Sequence, residues 1–295
     1  MSESLLIGVD GSARSADAIA LGALLAPIIG APTMLYAHPY GELQSLLGEG
    51  EYEQLVREVA ETTATQARGQ FSTNGSPSLT LVADRSPASA LQEAAEKQNA
   101  AAIVVGSSHR GALGRVVPGG IAQRLLSGAP CPVAVAPAGF ASRQPSSLGT
   151  IAVGFDGSPE AHEALRVASG LAKLNRGPLA VVAVHSRLAF GHVPVAVGRA
   201  TVSLNQQLKL DLAESLEKAA SETGLRDHVT THLYEGDPAA VLAAETAEHG
   251  LLVVGSRGYG PVGSVLLGSV GTALIQEASS PVMVVPRRGV DRPTR

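Results

Sequence analysis

The chain has 295 residues, room for two domains of about 100–200 residues each, and its 45% hydrophobic against 16% charged content excludes a disordered polymer. A net charge of −4, with neither half basic, argues against a DNA or RNA footprint, and 3% aromatics without Trp argue against base stacking on single strands. One cysteine, Cys131, excludes an internal disulfide and a multi-cysteine metal site; its apolar surroundings read as a buried, inert thiol.

Short continuous apolar runs predict strands in the first half near 4–9, 32–38, 78–83, 101–106 and 132–136. Helical periodicity lies between them, near 15–29, 51–71, 86–98 and 119–127. A stretch rich in Pro, Ser, Ala and Gly follows, from Pro137 to Leu148, and has linker composition. The second half repeats the order, with strands near 149–155, 178–185, 228–234, 250–255 and 281–285. Its helices are expected near 159–174, 201–223, 237–248 and 268–278. Ser86-Pro87 and Asp237-Pro238 each place an N-cap and a first-turn proline at a helix start. Apolar strands without polar alternation belong to sheets covered on both faces, and strand–helix alternation makes them parallel with right-handed crossovers. The expected fold is therefore α/β: two tandem doubly wound domains, each a five-stranded parallel sheet flanked by helices. The boundaries are 1–138, a linker 139–148, 149–288 and a tail 289–295.

Three segments recur in the same order, which is the mark of a duplication. Leu5-Leu-Ile-Gly-Val-Asp-Gly-Ser12 matches Ile151-Ala-Val-Gly-Phe-Asp-Gly-Ser158. Ala101-Ala-Ile-Val-Val-Gly-Ser107 matches Gly250-Leu-Leu-Val-Val-Gly-Ser256, and Pro132-Val-Ala-Val-Ala-Pro137 matches Pro281-Val-Met-Val-Val-Pro286. Asp10 and Asp156 end first strands, His38 and His185 end second strands, and glycine-rich loops end fourth strands. In such sheets the carboxyl edge is where ligands bind.

The second of these loops reads Gly255-x2-Gly258-x9-Gly268-Ser269. It runs from an apolar strand into a helix start, where free N–H groups and the Ser269 hydroxyl suit a polyphosphate. The first copy is altered to Gly106-x2-His109-x9-Gly119-Gly120: His109 stands for a glycine, and Gly120 removes the hydroxyl. The plainer alternative is a surface loop with several turns. For Asp10 and Asp156 the plainer alternative is an Asx-turn before the next helix. Gly258-Tyr-Gly-Pro-Val-Gly263 satisfies a bare GxGxxG pattern but follows a fourth strand, not the first turn a dinucleotide fingerprint requires. No GxxxxGK[ST], HExxH, CxxC or GxSxG motif is present.

With the G-x2-G-x9-G-[S/T] spacing and the Asp-Gly-Ser strand ends in view, the chain resembles the universal stress protein family in its tandem form. The resemblance implies ATP binding with Mg²⁺, by a regulatory or stress-response module with slow or no hydrolysis. It implies that Asp156, Val254, Gly255, Arg257, Gly258, Gly268, Ser269 and Val270 surround the nucleotide in the second half, with Ser186 against the adenine. In the first half the corresponding residues are Asp10, Pro39, Val105, Gly106, His109, Gly119 and Gly120. The second half is the safer site and the first the one to test.

An enzyme with slow ATPase or nucleotide-transferring activity is the first competing reading, and a scaffold whose loops are only turns is the second. Apolar last strands at a sheet edge invite pairing. The resemblance implies that such edges pair, giving an intramolecular pseudo-dimer or a homodimer. No apolar run reaches the roughly 18 residues of a membrane span, and Met1-Ser-Glu-Ser lacks the features of a signal peptide, so a cytoplasmic location is expected.

Overall fold

The computed structural model describes residues 4–38, 48–71, 77–84, 86–107, 120–126, 128–186, 195–256 and 269–286. In the first half the strands are β1 (Ser4–Val9), β2 (Ala31–His38), β3 (Ser78–Ala83), β4 (Ala100–Gly106) and β5 (Val133–Ala136). The helices are α1 (Ala13–Ile29), α2 (Glu49–Arg68), α3 (Pro87–Gln98) and α4 (Gly120–Leu126). The second half supplies β6 (Ile151–Gly154), β7 (Leu179–His185), β8 (Val229–Glu235), β9 (Leu251–Gly255) and β10 (Val282–Val285). Its helices are α5 (Pro159–Asn175), α6 (Val195–Glu222), α7 (Pro238–Glu245) and α8 (Ser269–Glu277).

Each half has the same parallel order, 3-2-1-4-5 in its own strands, and the two orders are mirrored across one sheet: β3-β2-β1-β4-β5-β10-β9-β6-β7-β8. The join is the antiparallel pairing of β5 with β10, in register Val133–Val284, Ala134–Met283 and Val135–Val282. The apolar last strands therefore satisfy one another inside the chain. The edges of the ten-stranded sheet are β3 and β8.

Period-two alternation along the strands builds two cores. Leu5, Ile7, Val104, Val153, Val253 and Met283 belong to the core on one face. Their neighbours Leu6, Ile103, Val105, Leu252, Val254 and Val284 belong to the core on the other. Both cores run through the β5–β10 seam into both halves. Burying a side chain of this size contributes roughly 1.5–3 kcal/mol, so the seam is an interior and not a surface contact.

The segment with linker composition is itself packed. Phe140 (5% exposed) and Leu148 (1%) belong to a core, and a 3₁₀ turn spans Ala141–Arg143. Asp17, buried in α1, accepts hydrogen bonds from the N–H groups of Gly139 at 3.0 Å and Ala141 at 2.8 Å. Arg143 donates to the Ser279 carbonyl at 2.6 Å, tying the same turn to the second half.

Several helix ends differ from the expected ones, α2 spanning Glu49–Arg68 against 51–71 among them, and two have a local reason. Helix α6 begins at Val195, ahead of the predicted 201, because Gly198 and β-branched Val195, Val197 and Thr201 dilute the helical signal there. Helix α7 stops at Glu245, short of 248. The buried Thr246 hydroxyl donates to the Ala243 carbonyl at 2.6 Å and accepts from the Ser279 N–H at 3.0 Å, which turns the chain out of the helix.

Candidate functional site

A cleft opens at the carboxyl edge of each half. Because β5 and β10 are antiparallel, the two clefts face opposite edges of the common sheet. The second-half cleft holds about 180 Å³ and the first-half cleft about 230 Å³.

Three features of the local sequence shape the second cleft. The first is the turn after β6. Gly157 has φ 77°, a conformation that glycine adopts without strain. The turn lets Asp156 Oδ1 accept from the Ser158 N–H at 3.0 Å and hydroxyl at 2.5 Å. Ser158 in turn caps α5 by accepting from the Ala161 N–H at 3.2 Å. The Asx-turn expected as the plain reading of this aspartate is thus present, and Asp156 also lines the cleft. One geometry serves both.

The second feature is a pair of glycines. A Cβ on Gly154 would lie 3.2 Å from both Leu242 Cδ1 and Val254 Cγ1, so glycine keeps the floor of the cleft open. A Cβ on Gly255 would lie 2.5 Å from the Glu160 carbonyl oxygen. Gly255 is needed where the first turn of α5 passes over the end of β9; this close approach is backbone to backbone.

The third feature is an apolar slot. Val182 and Val184 of β7, Pro238 and Leu242 of α7, Val254 of β9 and Leu274 of α8 line it. The same cleft is lined by Asp156 and Glu160 and by Val270 and Gly271 of the first turn of α8. The first turn of a helix carries N–H groups without a partner inside the helix and the positive end of its dipole. The arrangement suits a flat apolar ring with an anionic tail.

The first cleft copies this plan. Gly8, Asp10, Ala37, Leu91, Val105 and Gly106 occupy the places of Gly154, Asp156, Val184, Leu242, Val254 and Gly255. Gly106 is packed against the Arg14 carbonyl even more closely than Gly255 against Glu160. The Asx-turn recurs, with the Ser12 N–H at 3.0 Å and hydroxyl at 2.5 Å from Asp10 Oδ1.

Asp10 gathers more partners than this. The buried Ser15 hydroxyl donates to Asp10 Oδ1 at 2.8 Å, and Arg14 lies 3.6 Å from Asp10 Oδ2. Burial pushes the Asp10 carboxyl up, but the Ser12 hydroxyl and N–H, the Ser15 hydroxyl and the Arg14 charge outweigh it and hold the group below its ordinary value. In the second half the two equivalent positions are Ala161, with no hydroxyl, and Glu160, with the opposite charge.

Of the residues expected at the sites, Asp156, Val254, Gly255 and Val270 meet in the second cleft, and Asp10, Val105 and Gly106 in the first. Ser269 and Gly120 begin α8 and α4, at the edges of their clefts. Ser186 is exposed beyond β7 and stands outside the lining. Arg257, Gly258, Gly268, Pro39, His109 and Gly119 lie outside the described residues. Pro238, Leu242 and Glu160 with their first-half counterparts Pro87, Leu91 and Arg14 were missed. Their signal was available in the duplication, since both prolines follow an N-cap and the charged pair follows each aspartate by four residues.

Mg²⁺ takes hard oxygen ligands, commonly one or two carboxylates with ligand phosphates and water. The second cleft offers Asp156 and Glu160, a set that fits this use. Among the described residues no group of three or more His, Cys, Asp or Glu forms a metal cage. No helix among them is long and apolar enough to cross a membrane.

The model of the universal stress protein family matches residues 1–137 and again 148–286. A universal stress protein of Mycolicibacterium smegmatis is 31% identical over 294 residues, covering 96% of this chain and 97% of the relative. One of Mycobacterium tuberculosis is 32% identical, covering 95% and 96%. Among solved structures, a universal stress protein from Archaeoglobus fulgidus superposes with a TM-score of 0.71 at 21% identity, over 98% of this chain and 100% of that one. At that identity the likeness is one of fold.

Proposed function

The chain belongs to the universal stress protein family, with two copies of the domain in tandem, and from that premise we propose that it is an adenine-nucleotide-binding module whose second cleft takes ATP with Mg²⁺. The observation that carries this reading is the second cleft's composition. Apolar residues of β7, β9 and α7 line that cleft together with Asp156, Glu160 and the first turn of α8. The slot suits a purine, the carboxylates suit a ribose hydroxyl and a metal-bound phosphate, and the helix start suits a phosphate oxygen. Asp156 and Glu160 would hold Mg²⁺, which supplies charge neutralisation between the carboxylates and the phosphates.

We place its role in binding and regulation and not in turnover. Phosphoryl transfer to water needs a positioned water and stabilisation of the developing charge as well as a bound nucleotide. The described lining supplies mainly apolar walls and carboxylates. Nucleotide occupancy then sets the state of the carboxyl edge, and a stress-response partner reads that state in the cytoplasm.

Val184→Trp tests the reading. Val184 lines the slot at the sheet edge and is half-buried, so an indole there has the slot or solvent as its only room. Calorimetry with ATP and Mg²⁺ should show the second site weakened at least about tenfold, with far-UV circular dichroism unchanged. Unaltered ATP binding at that site, or none in the native protein at millimolar nucleotide, sinks the proposal.

A further inference from the structure

The mirrored order of the two halves gives each place beside the β5–β10 seam a counterpart on its other flank. On one flank the chain leaving β5 packs on α1. Phe140 is buried in the core, Gly139 and Ala141 donate to the Asp17 carboxylate, and Arg143 donates to the Ser279 carbonyl. On the other flank lies a groove of about 500 Å³, lined by α5 and by the residues leading into β4 and β5. Its lining includes Glu163 and Pro130. Glu163 stands seven residues after Asp156, as Asp17 stands after Asp10. Pro130 stands three residues before β5, as Ser279 stands before β10. The groove is therefore built on the counterparts of the residues that hold the 139–143 turn. Leu174 lines it and is 64% exposed, so its apolar wall is available to a covering segment.

The chain leaving β10 starts in this groove, since Pro286 lines it. Nine residues of the sequence follow, 287–295, and lie outside the described residues. Their order repeats that of the turn. Pro137 is followed by Gly139, Phe140 and Arg143; Pro286 is followed by Gly289, Val290 and Arg292, with the arginine sixth in both. Their charge suits the groove as well. Four of the nine are arginines, against one acid, Asp291. The C-terminal end of α1 reaches the groove through Ile28 and Ile29 and has no basic residue in its last turn, and such ends favour cations. We propose that residues 287–295 dock in this groove as a strap across the seam, the second copy of the 139–143 turn. Val290 covers the apolar wall at Leu174. Arg292 donates to the Pro130 carbonyl as Arg143 does to that of Ser279. Backbone N–H groups near Gly289 donate to Glu163, which Arg166 orients through bonds of 2.8 and 2.6 Å. Extended, nine residues reach about 30 Å, so the strap has the length to run along a groove that begins at its own root.

Amide hydrogen exchange on the full chain tests the strap. The amides of Gly289 to Arg292 should exchange at least about tenfold more slowly than in a free peptide of sequence 287–295. Gly170→Trp sends an indole into the groove from a lining position with nothing within 4 Å of its would-be Cβ, and should abolish that protection. Leu174→Gln, a polar change on an exposed side chain, should reduce it and stands in if Gly170→Trp does not fold. Arg292→Ala removes one hydrogen bond from a charged donor and should lower the protection at least about fivefold. The amides of Gly139 and Ala141 should stay as protected as in the parent throughout, which shows that the seam and its first turn are intact. A tail that exchanges at the free-peptide rate in the parent overturns the proposal. So does protection that neither groove substitution moves, since the tail is then held elsewhere. Protection that fades on dilution places the tail in a second copy's groove and overturns docking within one chain.

Discussion

Gly255→Ala is the sharpest structural test of how the cleft is built. The new methyl carbon would sit 2.5 Å from the Glu160 carbonyl oxygen, 2.7 Å from its carbon and 2.9 Å from its Cβ. Two of these are backbone atoms in the first turn of α5, so no rotamer change relieves the contact. To approach the roughly 3.5 Å optimum for nonbonded atoms, the helix start must retreat by about 1 Å. Its neighbours resist, because Ala161, Ala164 and Leu165 are buried in the core just below. Overpacking of this kind costs about 1–3 kcal/mol. With a urea slope of about 1–3 kcal/mol per molar, the unfolding midpoint should fall by roughly 1 M. The retreat also carries away Ser158 and Glu160, so ATP binding at the second cleft should weaken with it. Gly170→Ala is the control: it lies within α5 with nothing within 4 Å of its would-be Cβ. It should raise stability by about 0.5–1 kcal/mol. A Gly255→Ala protein as stable as the parent refutes the packing argument.

Two further outcomes follow from the seam and the buried groups. Asp17→Ala removes the acceptor of two N–H groups in the 139–141 turn and should cost about 2–4 kcal/mol, read as faster amide exchange at Gly139 and Ala141 and new proteolysis there; unchanged exchange contradicts the clamp. Burial pushes the Cys131 thiol up to about 12 from 9.0, so iodoacetamide at pH 8 should modify it only after denaturation. Since the folded value is raised, the contribution of this group to stability is fully present below pH 9.0 and is lost as the pH rises toward about 12; rapid alkylation of the native protein at pH 8 would contradict its burial.

The positions of the strands were legible because apolar runs such as Leu251–Val254 suit a doubly covered sheet, and the duplication checks each run against a second copy. The aspartate turns were legible as well, since Asp-Gly-Ser fixes an acceptor, a left-handed residue and a cap in consecutive positions. What the sequence hid is long-range. Asp17 meets Gly139 and Ala141 across more than a hundred residues, so a segment of loop composition carries Phe140 into the core. Gly255 lines the cleft where a site residue was expected, and its bare Cα is also required by the backbone of Glu160, which the sequence did not reveal. The charge reversal between Arg14 and Glu160 was in plain view, but only the fold puts both residues in the cleft linings.

The β5–β10 seam has a consequence for how such clefts can diverge. Were the same sheet assembled from two identical chains, every residue would occur at both clefts, and a change at one would be forced on the other. Here the seam joins two halves of different sequence, so the pseudo-twofold relation constrains shape without constraining chemistry. Arg14 and Glu160 coexist in one molecule for that reason. Fusion exempts the chain from symmetry while keeping the interior that symmetry built.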